Sequence, residues 1–273
     1  MPAGADDQGL SHSADLLQRA AAHDPDRRFG GLRRLYGMAG YERLRQARLA
    51  VIGVGGVGSW AVEALARSGV AALTLIDLDN IAESNINRQI QALESTVGQA
   101  KVEALRDRIA LIHPDCQVRA IEEFVDEANV APLLDAQPLD GVLECCDQVR
   151  AKAAVAAWGW ARGVPVVTVG AAGGKTRPHL IELADLADVT HDPLLASLRQ
   201  RLRQRHGAPR KGRMGLPCVF SREAVRPPQD QCDVVGQGDG SLNCAGYGSS
   251  VTVTASFGMT AAAQLIEHLL SQA

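Results

Sequence analysis

A run of six residues constrains this chain more than any other: GVGGVG at 53–58, with the apolar stretch RLAVI just before it and the helix-patterned SWAVEALARS just after. Gly53, Gly55 and Gly58 make a G-x-G-x-x-G, and Asp77 closes the next apolar stretch, ALTLID, at the spacing of a ribose-binding acid. Glycines let the backbone approach a phosphate, and the helix that follows supplies free N–H groups and the positive end of its dipole. Such a turn works only where a parallel strand feeds directly into a helix, which makes the fold α/β. The rest of the pattern agrees. A helix spans 57–68 and ends at Gly69, strands are expected at 48–53, 72–77, 117–121, 141–145 and 164–169, and an amphipathic helix runs from 98 to 112 with Pro114 as its stop. Strands alternating with helices give a Rossmann-like, doubly wound, mostly parallel sheet.

The pattern changes after Gly170. A strand is expected at 178–183, a helix starting at Asp192-Pro193 with Leu194, Leu198 and Leu202 on one face, loops over 207–217 and 227–248, and a closing helix at 254–270. Residues 1–26 read as a loose segment with a short helix near 16–22, and RFGGLRRLYG at 28–37 leads into a helix ending at Gln46. The expected organisation is one nucleotide-binding domain over 27–273, with 175–250 as a loop-rich extension.

Composition removes several function classes. A net charge of −3 argues against a protein that coats DNA, and 4% aromatic residues leave little for a single-strand stacking platform. The 6 cysteines contain no CxxC pair, so no zinc site is expected, and free thiols in a reducing cytoplasm are the default. The first 30 residues lack the layout of a secretory signal. No charged residue occurs between Gly240 and Ile266, but Ser, Thr, Asn, Gln and Gly interrupt that stretch, which reads as a buried strand and helix rather than a membrane span.

The glycine turn alone admits either NAD or ATP. The residues after it favour ATP: Asp79, Asn85, Arg88 and Gln89 follow Asp77, and Lys101 opens the next helix. Hydride transfer needs no extra cations at the pyrophosphate. A carboxylate attacking an α-phosphate does, because two anions must meet and pyrophosphate must leave. Arg88 and Lys101 supply that charge, and Asp147, just past the strand at 141–145, stands at the sheet's carboxyl edge where Mg²⁺ binds.

These motifs carry a resemblance. GVGGVG, DLDNIAESNINRQ at 77–89, VGQAK at 97–101 and CCDQVRAK at 145–152 resemble the ubiquitin-activating-type (ThiF/MoeB-like) adenylyltransferases. RFGGLRRLYG, GAAGG at 170–174, DPLLASLRQRLR at 192–203 and GLPCVFS at 215–221 are similar to its tRNA threonylcarbamoyladenosine dehydratase branch, so the likeness covers most of 28–270. It implies ATP-dependent cyclisation of the threonylcarbamoyl group beside the anticodon, by adenylation of the threonyl carboxylate and internal attack, with loss of one water. It further implies that Gly53, Gly55, Gly56 and Gly58 cradle phosphates, that Asp77 and Asp79 face the ribose, and that Asn85, Arg88, Gln89 and Lys101 complete the ATP site with Asp147 on Mg²⁺. The active sites of this superfamily borrow an N-terminal arginine across a homodimer. Arg28 and Arg34 both qualify, and their spacing does not choose. The alternatives are a sulfur-carrier adenylyltransferase, which the missing CxxC pairs oppose, and a non-catalytic nucleotide sensor. A sulfur-relay partner belongs to the same expectation.

The tRNA contacts are expected in the basic run at Arg199, Arg203, Arg205, Arg210, Lys211 and Arg213. There is no acidic residue between Pro193 and Arg222, and arginines four apart on a helix repel without acidic partners, which points to an anionic ligand; DNA is not expected. Cys116, Cys145 and Cys146 read as core residues, and Cys218, Cys232 and Cys244 as non-catalytic. The Gly170–Gly174 carbonyls offer a place for a monovalent cation.

Overall fold

A computed structural model describes residues 24–226 and 247–271. Its sheet is built from strands β1 (Arg48–Ile52), β2 (Ala72–Ile76), β3 (Gln117–Ile121), β4 (Gly141–Glu144), β5 (Val166–Val169), β6 (Ile181–Asp185) and β7 (Pro217–Ser221). The strand order is β3-β2-β1-β4-β5-β7-β6, parallel throughout except for β6, which pairs antiparallel with β7 at the edge. The helices are α1 (Pro25–Gln46), α2 (Gly58–Arg67), α3 (Lys101–Ile112), α4 (Val130–Leu134), α5 (Val149–Arg162), α6 (Pro193–Arg205) and α7 (Val251–Leu270).

Strand residues alternate faces, so one sheet builds two cores. Leu49, Val51, Leu73, Leu75, Leu143, Val167 and Val219 point to the side covered by α2, α3 and α7, together with Leu44 of α1. Ala50, Ile52, Ile76, Val142, Val166, Cys218 and Phe220 point to the side covered by α4, α5 and α6. The central strands are apolar on both faces because both faces are covered. Chain direction across the sheet reverses between β1 and β4, the place where an open parallel sheet leaves a crevice beyond its carboxyl ends.

Several sequence expectations shift. The N-terminal helix begins at Pro25, capped by the Asp24 carboxylate, which accepts the N–H groups of Asp26 and Arg27. It is continuous to Gln46 apart from a break at Gly37, where φ is 74°. The strand expected at 178–183 is a 3-10 turn over Pro178–Leu180 followed by β6. GLPCVFS contains β7, an interior strand, where loop was expected up to residue 217. The closing helix starts three residues earlier than expected, at Val251. Among the described residues no helix is long and apolar enough to cross a membrane. The helix expected near 16–22 and the loop over 227–246, with Cys232 and Cys244, lie outside the described residues.

Candidate active site

Where β1 meets α2, two of the glycines shape the turn and two form the cradle. Gly53 has φ of 77°, and a Cβ there would lie 2.7 Å from the backbone nitrogen of Cys146; a Cβ on Gly58 would lie 1.9 Å from the carbonyl oxygen of Gly53. Those two positions let the glycine turn close against the β4–α5 turn. Gly55 and Gly56 instead face the cleft, and a Cβ on Gly55 would meet nothing closer than 3.9 Å. The space over Gly55 is open to the cleft.

Asp77 stands at the end of β2 and organises the cradle: its carboxylate accepts the Val54 N–H at 2.8 Å and the Asp79 N–H at 3.0 Å. Burial pushes its carboxyl up, against the opposing pull of Lys101 and the two backbone donors. Asp79 is the more exposed of the pair. Residues 79–81 run beside 98–101, joined by the Ile81 N–H to the Gln99 carbonyl and the Lys101 N–H to the Asp79 carbonyl. That pairing delivers Lys101, at the first position of α3, into the cleft wall, with Nζ 2.6 Å from Asp79 and 3.9 Å from Asp77.

Arg88 reaches the same cleft from the loop after the 3-10 turn Glu83–Asn85. Its carbonyl is held by Trp60 Nε1 at 2.9 Å, its methylenes pack over Gly56, and its guanidinium donates to the Ser84 carbonyl and Asn87 Oδ1. Burial lowers the guanidinium pKa. Gln89 also lines the cleft. Asn85 does not line it; its Oδ1 accepts the Ala82 N–H and shapes the loop that carries Arg88.

Asp147 lines the cleft on the β4–α5 turn. The turn rests on a buried network that sequence reasoning did not find. Glu144 accepts from Lys152 Nζ at 2.7 Å, from Thr168 Oγ1 at 2.6 Å, and from the Cys146 N–H at 3.0 Å, while Lys152 also donates to the Val169 carbonyl. The scarcity of lysine was the available signal: of the 4 lysines, at 101, 152, 175 and 211, the first three are buried. Among the described residues no group of three or more His, Cys, Asp or Glu side chains is arranged to hold a metal. One carboxylate does suit Mg²⁺, which keeps water and phosphate oxygens as its other ligands. Further wall comes from Leu78 and Phe124 beyond β2 and β3, from Val169 at the end of β5 and Gly170, Ala171, Ala172 and Gly173 after it, and from Tyr247 and Thr254.

Other expected site residues lie elsewhere. Arg28 donates to the carbonyls of Ile112 and Leu111, capping α3 at the end opposite Lys101, about 17 Å away by helix rise. Arg34 is exposed on α1. The basic run divides. Arg199 donates to the Leu186 and Val189 carbonyls, and Arg203 to the Pro209 carbonyl, so both brace the local fold. Arg201 pairs with Glu127 at 2.7 Å, an acidic partner supplied from outside the run. Arg213 lies 4.0 Å from Asp185, while Arg205, Arg210 and Lys211 are exposed. Burial pushes the Cys145 and Cys116 thiols up to about 12, and the Cys146 and Cys218 thiols well above their ordinary value, so none is poised as a thiolate.

A glycine cradle at the switch point, ringed by Arg88, Lys101 and an acidic turn, defines a nucleotide-binding site of the adenylating kind. The ThiF family profile matches residues 29–273, and the chain belongs to that family. The chain is similar to a tRNA threonylcarbamoyladenosine dehydratase from Escherichia coli strain K12, 42% identical over 254 residues, which cover 90% of this chain and 94% of the relative. The crystal structure of an E. coli tRNA N6-threonylcarbamoyladenosine dehydratase in complex with ATP superposes with a TM-score of 0.82 at 40% identity, covering 90% of this chain and 95% of the other. A molybdopterin-synthase adenylyltransferase from E. coli is 37% identical over 129 residues, which cover only 47% of this chain and 51% of the relative.

Proposed function

We propose that this chain catalyses the ATP-dependent dehydration of threonylcarbamoyladenosine in tRNA, next to the anticodon. The observation that carries the reading is the meeting of Arg88, Lys101 and Asp147 around an open glycine cradle, in a chain similar over nine-tenths of its length to dehydratases of that substrate. Adenine packs against the exposed apolar pair Leu78 and Phe124, the ribose lies toward Asp79, and the phosphates cross Gly55 and Gly56. Asp77 acts mainly by shaping the cradle through Val54.

In the first step an oxygen of the threonyl carboxylate attacks the α-phosphorus, and the bond to pyrophosphate breaks. Arg88 turns from the Ser84 carbonyl toward the phosphates, and Lys101 exchanges part of its contact with Asp79 for them. Asp147 is the carboxylate that would hold a Mg²⁺ ion here, and such an ion would supply positive charge to offset the leaving pyrophosphate. In the second step a nitrogen of the carbamoyl linkage attacks the activated carbonyl carbon, AMP leaves with the former carboxylate oxygen, and the nitrogen loses its proton. The second step is intramolecular, so proximity does the work of a protein nucleophile. Burial pushes the Cys145 and Cys146 thiols up, which agrees with that.

The chain acts as a homodimer in which Arg34 reaches the partner's triphosphate. Arg28 is engaged at the end of α3, whereas Arg34 is exposed beside Leu35 and Met38, which are 69% and 54% exposed. The test of function is to incubate the protein with Mg·ATP and tRNA carrying threonylcarbamoyladenosine, digest it under mild conditions and weigh the nucleosides. A loss of one water, dependent on ATP and matched by AMP, is the expected result. An unchanged nucleoside with ATP bound refutes the assigned acceptor.

A further inference from the structure

Lys175 is a charge with no role in the steps above. Its side chain is fully buried at the end of the Gly170–Gly174 loop, and its short contact among the described residues is a 3.2 Å hydrogen bond from Nζ to the Ser221 carbonyl at the end of β7. Asp192 Oδ2 lies 3.9 Å away, and the Phe257 ring of α7 is 6.0 Å from Nζ. Asp192 is itself buried and spends both oxygens: Oδ1 accepts the Leu195 N–H and caps α6, and Oδ2 accepts the Ala171 N–H at 2.9 Å. Ala171 lines the cleft. A Cβ on Gly170 would lie 2.1 Å from Asp192 Oδ2, so the loop passes the carboxylate only because that residue is glycine.

We propose that Lys175 is a positioning residue: through Asp192 it holds the Gly170–Gly173 wall, on the acceptor side of the cleft, in the geometry that presents the threonyl carboxylate to the α-phosphate. A buried carboxylate needs a nearby cation and hydrogen-bond donors to offset its lost hydration. Lys175 supplies a buried cation 3.9 Å from Asp192 Oδ2. The other facing acid, Glu223, is turned to Thr176 and Arg177 and pairs with Arg226. Burial pushes the Lys175 ammonium down while Asp192 and Glu223 oppose it. The nucleotide side of the cleft is carried by other elements, through Gly55, Asp77 and Lys101, so the effect falls on one partner of the reaction.

This inference rests on the proposed function, and the experiment separates the two. Lys175→Met keeps the length of the side chain and removes the charge. Asp192→Asn keeps an oxygen to cap Leu195 but cannot accept from Ala171 with its amide nitrogen, so it breaks the wall contact if Lys175→Met does not fold. With either variant we expect kcat for dehydration to fall at least tenfold, ATP affinity measured by calorimetry to change less than twofold, and amide exchange across 170–174 to rise. Parallel losses in ATP affinity and kcat would mean a merely structural role and overturn the proposal, as would wild-type kcat in a folded variant. Unchanged exchange across 170–174 overturns it whatever the activity. An inactive wild type counts against the proposed function alone, and the exchange measurement still decides the role of Lys175.

Discussion

Gly55 and Gly58 share a motif but do different work. The 1.9 Å approach of a Gly58 Cβ to the Gly53 carbonyl leaves no room, so Gly58→Ala is expected to lower stability by about 3 kcal/mol and to lose ATP binding with it. Gly55→Ala meets open space, so its melting temperature stays near wild type while ATP affinity drops at least tenfold. Thermal melts and calorimetry on the two variants check this; equal destabilisation of both would contradict the division. Glu63 gives a second test at this scale. Burial pushes its carboxyl up, but donation from Arg108 and Arg67 outweighs that and holds it below the usual carboxylate range. A carboxyl depressed in the folded state contributes stability above its unfolded pKa and loses it as pH falls through the folded one. Glu63→Gln is therefore expected to flatten the acid limb of melting temperature against pH, with the two curves converging at the lowest pH.

At the scale of elements, the β4–α5 turn is held from below. Glu144 and Lys152 are fully buried and paired at 2.7 Å, with Thr168 and the Val169 carbonyl completing their bonds. Breaking a buried pair from one side leaves an uncompensated charge and costs about 3–5 kcal/mol, whereas replacing both partners by apolar groups of similar volume is often close to neutral. Glu144→Leu and Lys152→Met are each expected to fall in that range, and the double variant to be more stable than either. Denaturant unfolding of the four proteins measures the coupling. Additive losses would mean that the two side chains act independently.

For the whole molecule, charge is distributed by fold rather than by sequence. The run from 199 to 222 is uniformly basic, yet Glu127, Glu182 and carbonyls from neighbouring segments take up much of it. Arg205, Arg210 and Lys211 remain exposed, and under the proposed function they are the cations left for tRNA phosphates. Replacing all three with alanine is expected to weaken tRNA binding and to lower the salt slope of the logarithm of affinity by about 2, since each phosphate left without its cation removes roughly 0.7–0.9 from that slope. ATP affinity should not change. Filter binding over a salt series tests it, and an unchanged slope would place the tRNA elsewhere.

The parallel sheet, the glycine cradle and the cations at 88 and 101 were legible in the sequence because each rests on local order: apolar periodicity, a turn only glycine can make, a residue at the first position of a helix. β7 was not, since PCVFS becomes an interior strand only when β5 and β6 offer it edges to pair with. Glu144 with Lys152, Lys175 with Asp192 and the capture of Arg28 by α3 were hidden for the same reason. What the sequence alone determined is the class of fold and most of the polar residues that line the crevice, both set by short-range pattern. Which charges meet substrate and which meet each other was decided only by tertiary structure, because a charge is spent on whatever partner packing brings within a few ångströms, and that partner is usually far away in the chain.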